Sequence, residues 1–216
     1  NVMNGGAGTM NDITHICLFD IPMLTSIPGL IYLAPTTCEE YFAMLHWAIL
    51  QGKKPIAIRV PSNGVNHTAE LVDTTYSFEP KYKLTHHGKD VALIAAGSFY
   101  QKGENVRQLL ARKGINATLI NPRYLNDVDA DILETLKSNH NLVVTLEDGC
   151  KDGGFGERIA AYYGTSNMKV LVKGIKKGLY DRFVLQQLLS DNRLLDEQIA
   201  EDVMVIIGNL AEQNKL

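Results

Sequence analysis

The residue types best able to do chemistry gather in a few short stretches. Asn11-Asp12-Ile13-Thr14-His15 sets an imidazole beside amide, carboxylate and hydroxyl groups on a glycine-rich stretch that leads into a helical pattern. That set suits recognition of substrate hydroxyls or proton transfer, because histidine changes charge near neutral pH. The same residues can equally cap a helix, with Asp12 or Thr14 accepting first-turn N–H groups and His15 solvated. Arg59 falls near the end of an expected strand, where a guanidinium can clamp a phosphate or carboxylate, although a lone arginine there is more often in a surface ion pair. Glu147-Asp148-Gly149-Cys150-Lys151-Asp152-Gly153-Gly154-Phe155-Gly156 stands between an expected strand and an expected helix. It lacks the Gly-Lys-Ser/Thr of a phosphate loop and the third glycine of a dinucleotide fingerprint, and its acidic residues repel phosphate. A tight turn whose glycines let the helix approach the sheet is the favoured reading. His46, His67, His86, His87 and His140 show no metal-ligand spacing beyond the one adjacent pair, and no hydroxyl or thiol sits in a nucleophile elbow.

The elements that must hold these residues follow from periodicity. The first 14 residues read as a loop, and a helical face over 16–24 uses Ile16, Phe19, Met23 and Leu24, limited by Pro22. A strand over 30–34 precedes a capping pattern at Thr36 or Thr37 with Glu39 or Glu40 three residues on. The helix that follows presents Tyr41, Leu45, Ala48 and Ile49 and stops at Gly52, before a strand over 55–60. Residues 61–88 lose this rhythm and read as a turn and linker with one weak edge strand. Strands over 91–96, 117–120, 142–146 and 169–172 then alternate with helices over 101–112, 130–139 and 156–163, and helices over 184–190 and 196–210 close the chain. Strand–helix–strand order with short connections predicts an α/β fold with mostly parallel sheets in two units, a domain boundary falling within 61–88.

Composition excludes several classes. The 216 residues hold 21 basic and 24 acidic side chains, a net charge of −3, with no basic patch that would mark a nucleic-acid partner. The longest apolar runs fall far short of a bilayer span. Three cysteines without CxxC spacing argue for a reducing compartment, and the opening at Asn1 lacks both an initiator methionine and a signal-peptide pattern. The expectation is a cytoplasmic, soluble chain without a membrane partner that reads as though it begins mid-protein.

Several segments together resemble the 1-deoxy-D-xylulose-5-phosphate synthase family of the transketolase superfamily. They are Thr14-His15-Ile16-Cys17-Leu18-Phe19-Asp20, Ile27-Pro28-Gly29 with Leu33-Ala34-Pro35, Ile58-Arg59-Val60-Pro61, Pro122-Arg123-Tyr124, Val144-Thr145-Leu146-Glu147-Asp148 with Gly153-Gly154-Phe155-Gly156, and Gly178-Leu179-Tyr180-Asp181 with Phe183. They run in family order over nearly the whole chain. The resemblance implies two three-layer units: the end of a transketolase-like pyrimidine-binding domain over 1–65, then a linker at 66–88 and a transketolase C-terminal-like domain over 89–216. It implies a homodimeric thiamine diphosphate- and Mg2+-dependent transferase that condenses pyruvate, with loss of CO2, and glyceraldehyde 3-phosphate for isoprenoid and thiamine precursor synthesis. It carries acceptor binding onto Asn11, His15 and Arg59, with Asp12 beside Asn11 where the family has its aspartate, and a catalytic role onto His15. Cys17 stands where the family has glycine and Ser62 where it has a second arginine. The family's cofactor and metal residues precede those present here, so the implied chain by itself binds neither thiamine diphosphate nor Mg2+ and is inactive. Alternatives are another superfamily member (a transketolase or a 2-oxoacid dehydrogenase β subunit), a pure dimerisation module and, last, a nucleotide-binding module.

Overall fold

The computed structural model describes residues 2–8, 12, 15–61 and 64–213, the side chains of 3, 4 and 213 apart. Strand β1 (Val2–Gly5) opens the chain, where the sequence pattern predicts only loop. It pairs parallel with a later strand, Val2 opposite Ile58 through Gly5 opposite Pro61. Four residues ending in glycine carry no side-chain alternation; the backbone ladder of a distant segment makes them a strand. Helix α1 (Asp20–Thr25) is shorter than its periodicity suggests and starts later. Cys17 bridges Gly6 instead, which takes the preceding residues out of the helix. Pro22 then lies in the first turn, where a missing N–H costs no helical bond.

Strand β2 (Ile31–Leu33) is followed by α2 (Cys38–Gln51), which begins as its capping pattern predicts. Thr37 accepts the Glu40 N–H at 3.2 Å, and the Glu40 carboxylate reaches back to the Thr36 N–H at 2.8 Å. Gly52 ends the helix at φ +54°, a left-handed conformation suited to glycine. Tyr41, Leu45 and Ala48 pack on the core of the first sheet as expected, around the fully buried Met44, but Ile49 is 70% exposed. Strand β3 (Ile56–Pro61) completes a parallel sheet in the order β1-β3-β2.

After irregular chain in which Tyr76 and Phe78 pack on Trp47, β4 (Lys83–His86) begins a second sheet. Strand β5 (Asp90–Ala95), a 3-10 turn at Gly97–Phe99 and helix α3 (Tyr100–Ala111) lead to β6 (Thr118–Asn121) and α4 (Ala130–Leu136). Strand β7 (His140–Cys150), α5 (Phe155–Tyr163) and β8 (Lys169–Ile175) follow, then α6 (Leu185–Asp191) and α7 (Asp196–Gln213). The order is β4-β6-β5-β7-β8, parallel except for β4 at its edge. Strand β7 runs four residues past its apolar run, with a register slip between Leu146 and Cys150.

Alternation along β5 sorts the core into two faces. Val91, Leu93 and Ala95 pack with Val106 and Leu110 of α3 and Ile199 and Val203 of α7. Ala92, Ile94 and Ala96 face Leu133 of α4 and Ile159 of α5, and that same cluster takes in Tyr32 and Ala57 from the first sheet. The two sheets therefore share a core, which fixes how their strand ends face each other. The architecture is mixed α/β with mostly parallel sheets, as expected. Among the described residues, no helix is long and apolar enough to cross a membrane.

Candidate functional site

Strand β5 leads through α3 to β6 on one side, and β7 leads through α5 to β8 on the other. Their carboxyl ends thus flank the switch point where open α/β sheets take ligands. In this chain, side chains from both sheets fill the crevice. Arg59 of β3 is 3% exposed. Its Nε donates to Asp20 Oδ2 at 2.6 Å, one terminal nitrogen reaches Asp20 Oδ1 at 3.3 Å, and the other donates to Asp148 Oδ1. The remaining carboxylate positions are also used: Tyr32 donates its hydroxyl to Asp20 Oδ2 at 2.5 Å and Ser98 donates to Asp148 Oδ2 at 2.6 Å. Burial works against the guanidinium's charge, but Asp148 and Asp20 more than offset it and hold its pKa well above the usual value. Burial beside Asp20 also raises the Tyr32 phenol and the Cys17 thiol, so both stay protonated.

This geometry corrects the expectation for Arg59. It is neither an open anion clamp nor a surface ion pair, because two carboxylates of its own chain already occupy the guanidinium in a buried network. Sequence reasoning missed the partners as a group. Asp20 and Asp148 lie within the motifs quoted above, but only the shared core brings them within bonding distance of residue 59.

Asp12 and His15 share one turn, the Asp12 carbonyl accepting the N–H groups of His15 at 2.9 Å and Ile16 at 3.0 Å; both residues are exposed. Asn11 lies outside the described residues, as do Thr14 and Ser62. The chain after His15 runs straight into the Arg59 network: Gly6 N–H donates to the Cys17 carbonyl at 2.8 Å, and Cys150 N–H to the Leu18 carbonyl at 2.8 Å. The structure thus joins Asp12 and His15 in one turn and ties the residues that follow to the ends of β1 and β7.

The acidic, glycine-rich segment is a close-approach turn. Both oxygens of the buried Glu147 carboxylate cap α5, accepting the N–H groups of Phe155 at 3.0 Å and Gly156 at 2.8 Å. Burial pushes this carboxyl up to about 8, against those bonds, which favour the anion. A Cβ at Gly156 would lie 2.6 Å from Val172 Cγ1, so glycine lets the helix sit on β8.

A cavity of about 700 Å³ opens beside the network, between the carboxyl ends of β2, β3 and β5. Pro35, Tyr41, Phe42, Val60, Ser98 and Lys102 are among its walls, and among the described residues no aspartate or glutamate lines it. Lys102 is itself bonded to Asp196 at 2.6 Å. The cofactor implied by the resemblance requires a carboxylate at its aminopyrimidine and oxygen ligands for its metal. Glu40, Asp20, Asp148 and Glu147, the buried carboxylates near this region, are bonded to their own chain. Among the described residues, no three His, Cys, Asp or Glu side chains group as a metal site. The described residues do not fit that group.

Comparison with known proteins shows what this chain is similar to. Residues 81–179 match the model of the transketolase C-terminal domain. This part of the chain is therefore similar to a transketolase C-terminal domain. The 1-deoxy-D-xylulose-5-phosphate synthase of Lachnoclostridium phytofermentans is 32% identical over 205 residues, covering 93% of this chain and 31% of the relative. That of Gloeothece citriformis is 32% identical over 196 residues, covering 88% of this chain and 31% of the relative. The chain therefore spans just under a third of the length of these curated relatives. A split gene transketolase, described as an inactive beta4 tetramer, superposes with a TM-score of 0.77 at 22% identity, over 94% of this chain and 64% of that one. At that identity the likeness concerns the fold alone, and it extends the transketolase architecture to the first sheet as well as the C-terminal domain.

Proposed function

We propose that this chain supplies the acceptor side and the C-terminal domain of a thiamine diphosphate-dependent transferase of the 1-deoxy-D-xylulose-5-phosphate synthase type. Residues 1–65 form the later part of a pyrimidine-binding domain, 66–88 a linker and 89–216 the C-terminal domain. The complete enzyme condenses pyruvate, with loss of CO2, and glyceraldehyde 3-phosphate, works in the cytoplasm and acts as a homodimer. The likeness to the synthases over 205 residues carries this reading.

In it, Asp12 and His15 meet the acceptor's hydroxyl and carbonyl groups from one exposed turn, with Asn11 beside them. His15 is the group that moves or holds a proton there. Arg59 acts from behind that turn. Thiamine diphosphate, when bound in the complete enzyme, supplies the carbanion chemistry. Residues outside this chain hold it and its Mg2+, so the isolated chain turns nothing over.

Calorimetric titration of the chain with thiamine diphosphate and MgCl2 tests the division of labour. No binding is expected, and micromolar binding would refute it. Assay of deoxyxylulose phosphate formation by the intact gene product, with His15→Asn alongside, tests the reaction. Loss of product with retained fold is expected; full activity in the variant removes His15 from the acceptor site.

A second reading, as an assembly module, is favoured by the exposed apolar side chains Phe42, Ile49 and Leu50 along α2 and Val65 beside it. A strict monomer in sedimentation at high concentration would remove it.

A further inference from the structure

The segment between β7 and α5 does more than turn the chain. The slip between Leu146 and Cys150 lifts Asp148 out of the β7–β8 ladder and aims it at the first sheet. Its backbone carbonyl accepts the Ala7 N–H at 3.0 Å, and Cys150 N–H donates to the Leu18 carbonyl at 2.8 Å. Gly6, at φ +85°, passes so close to the Asp148 carboxylate that a Cβ there would collide with it. Three chain segments are therefore laid side by side where the chain after His15 enters the network. The Asp148 side chain completes the arrangement, because it holds Arg59 from one side while Asp20, five residues after His15, holds it from the other. Ser98, at the cavity wall, fixes the second oxygen of Asp148 at 2.6 Å.

We infer that Asp148, backed by Ser98, is a positioning residue of the C-terminal domain for His15: through Arg59, Asp20 and its backbone bond to Ala7, beside the bond that Cys150 makes to Leu18, it sets where the imidazole stands. The domain thereby governs an acceptor contact that it does not itself make. This rests on the reading of His15 as an acceptor contact, but the coupling can be measured without substrate.

A purely structural role would also destabilise the chain on mutation, so a matched control is needed. Glu40 is 4% exposed and joins the same two sheets through Arg123 at 3.2 Å and Asn121 at 3.1 Å, partners outside residues 6–20. The experiment compares the full chain, labelled at histidine and at backbone nitrogen, as wild type, Asp148→Asn, Ser98→Ala and Glu40→Gln. Melting curves establish that each is folded. Asp148→Asn and Ser98→Ala are expected to shift the His15 ring resonance and speed amide exchange at Ile16 and Cys17, and Glu40→Gln to leave both in place despite a lower melting temperature. Should Asp148→Asn fail to fold, Ser98→Ala, which deletes one hydroxyl, carries the test. An unmoved His15 signal in the folded variants, or an equal shift in Glu40→Gln, overturns the inference. If instead the coupling appears but His15→Asn leaves the complete enzyme active, the acceptor role fails and the positioning result stands.

Discussion

Replacing Arg59 by methionine is the sharpest test of the buried network. The side chain keeps much of its aliphatic bulk, so the change removes the charge and its hydrogen bonds while leaving little void. Asp20 and Asp148 would be left without their cation at 1% exposure each. Removing one partner of a buried ion pair costs about 3–5 kcal/mol, because the survivor is left charged in a poor solvent. Two carboxylates share this loss, so the upper part of that range applies. For a chain of this size roughly 2–4 °C accompany each kcal/mol, giving a fall of about 8–20 °C in melting temperature at pH 7. The assay is thermal unfolding by circular dichroism from pH 7 down to about pH 5. Burial favours the neutral acids once the guanidinium is gone, so protonation should narrow the deficit as pH falls. Adding Asp20→Asn and Asp148→Asn to Arg59→Met should recover a large part of the loss, since no buried charge then remains. A melting temperature within about 2 °C of wild type for Arg59→Met, or a deficit independent of pH, refutes the account of a dry, closed network.

Other outcomes follow from the same physics. Glu147, raised to about 8, binds a proton on folding between its unfolded value and that pH. Stability should therefore fall as pH rises through this window, by at most about 1.4 kcal/mol per unit, and Glu147→Gln should flatten the slope in denaturant melts. Gly156→Ala should cost about 1–3 kcal/mol by overpacking against Val172, seen as a lower urea midpoint. Met44→Ala should cost about 2–5 kcal/mol, whereas Ile49→Ala should stay within about 0.5 kcal/mol of wild type, and reversed magnitudes would restore the helix face read from sequence. Thr37→Ala should remove about 1 kcal/mol by uncapping α2, measured the same way.

The sequence by itself determined the rhythm of strands and helices, because hydrophobic period and capping chemistry are local. Thr37 and Gly52 mark the ends of α2 in any context, and the apolar runs of β5 and β7 admit no structure but buried strands. It also carried the resemblance to the synthases, through motifs in fixed order, and it singled out His15, Arg59 and the glycine-rich segment. What it could not carry were pairings that depend on distant backbone. Residues 2–5 become a strand only because β3 offers them a ladder, and the weakly patterned end of β7 is held by Ala7 and Leu18 from the start of the chain and by Ile175 of β8. The face of α2 was read correctly at Tyr41, Leu45 and Ala48 but missed at one edge for the same reason: periodicity marks Ile49 as readily as Met44, and only the position of the first sheet decides which is buried. The role of Arg59 was likewise a tertiary matter. A guanidinium at a strand end has the same sequence signature whether it awaits an anion or is already paired, and the fold decided by closing two carboxylates from opposite ends of the chain around it in a core where water cannot compete.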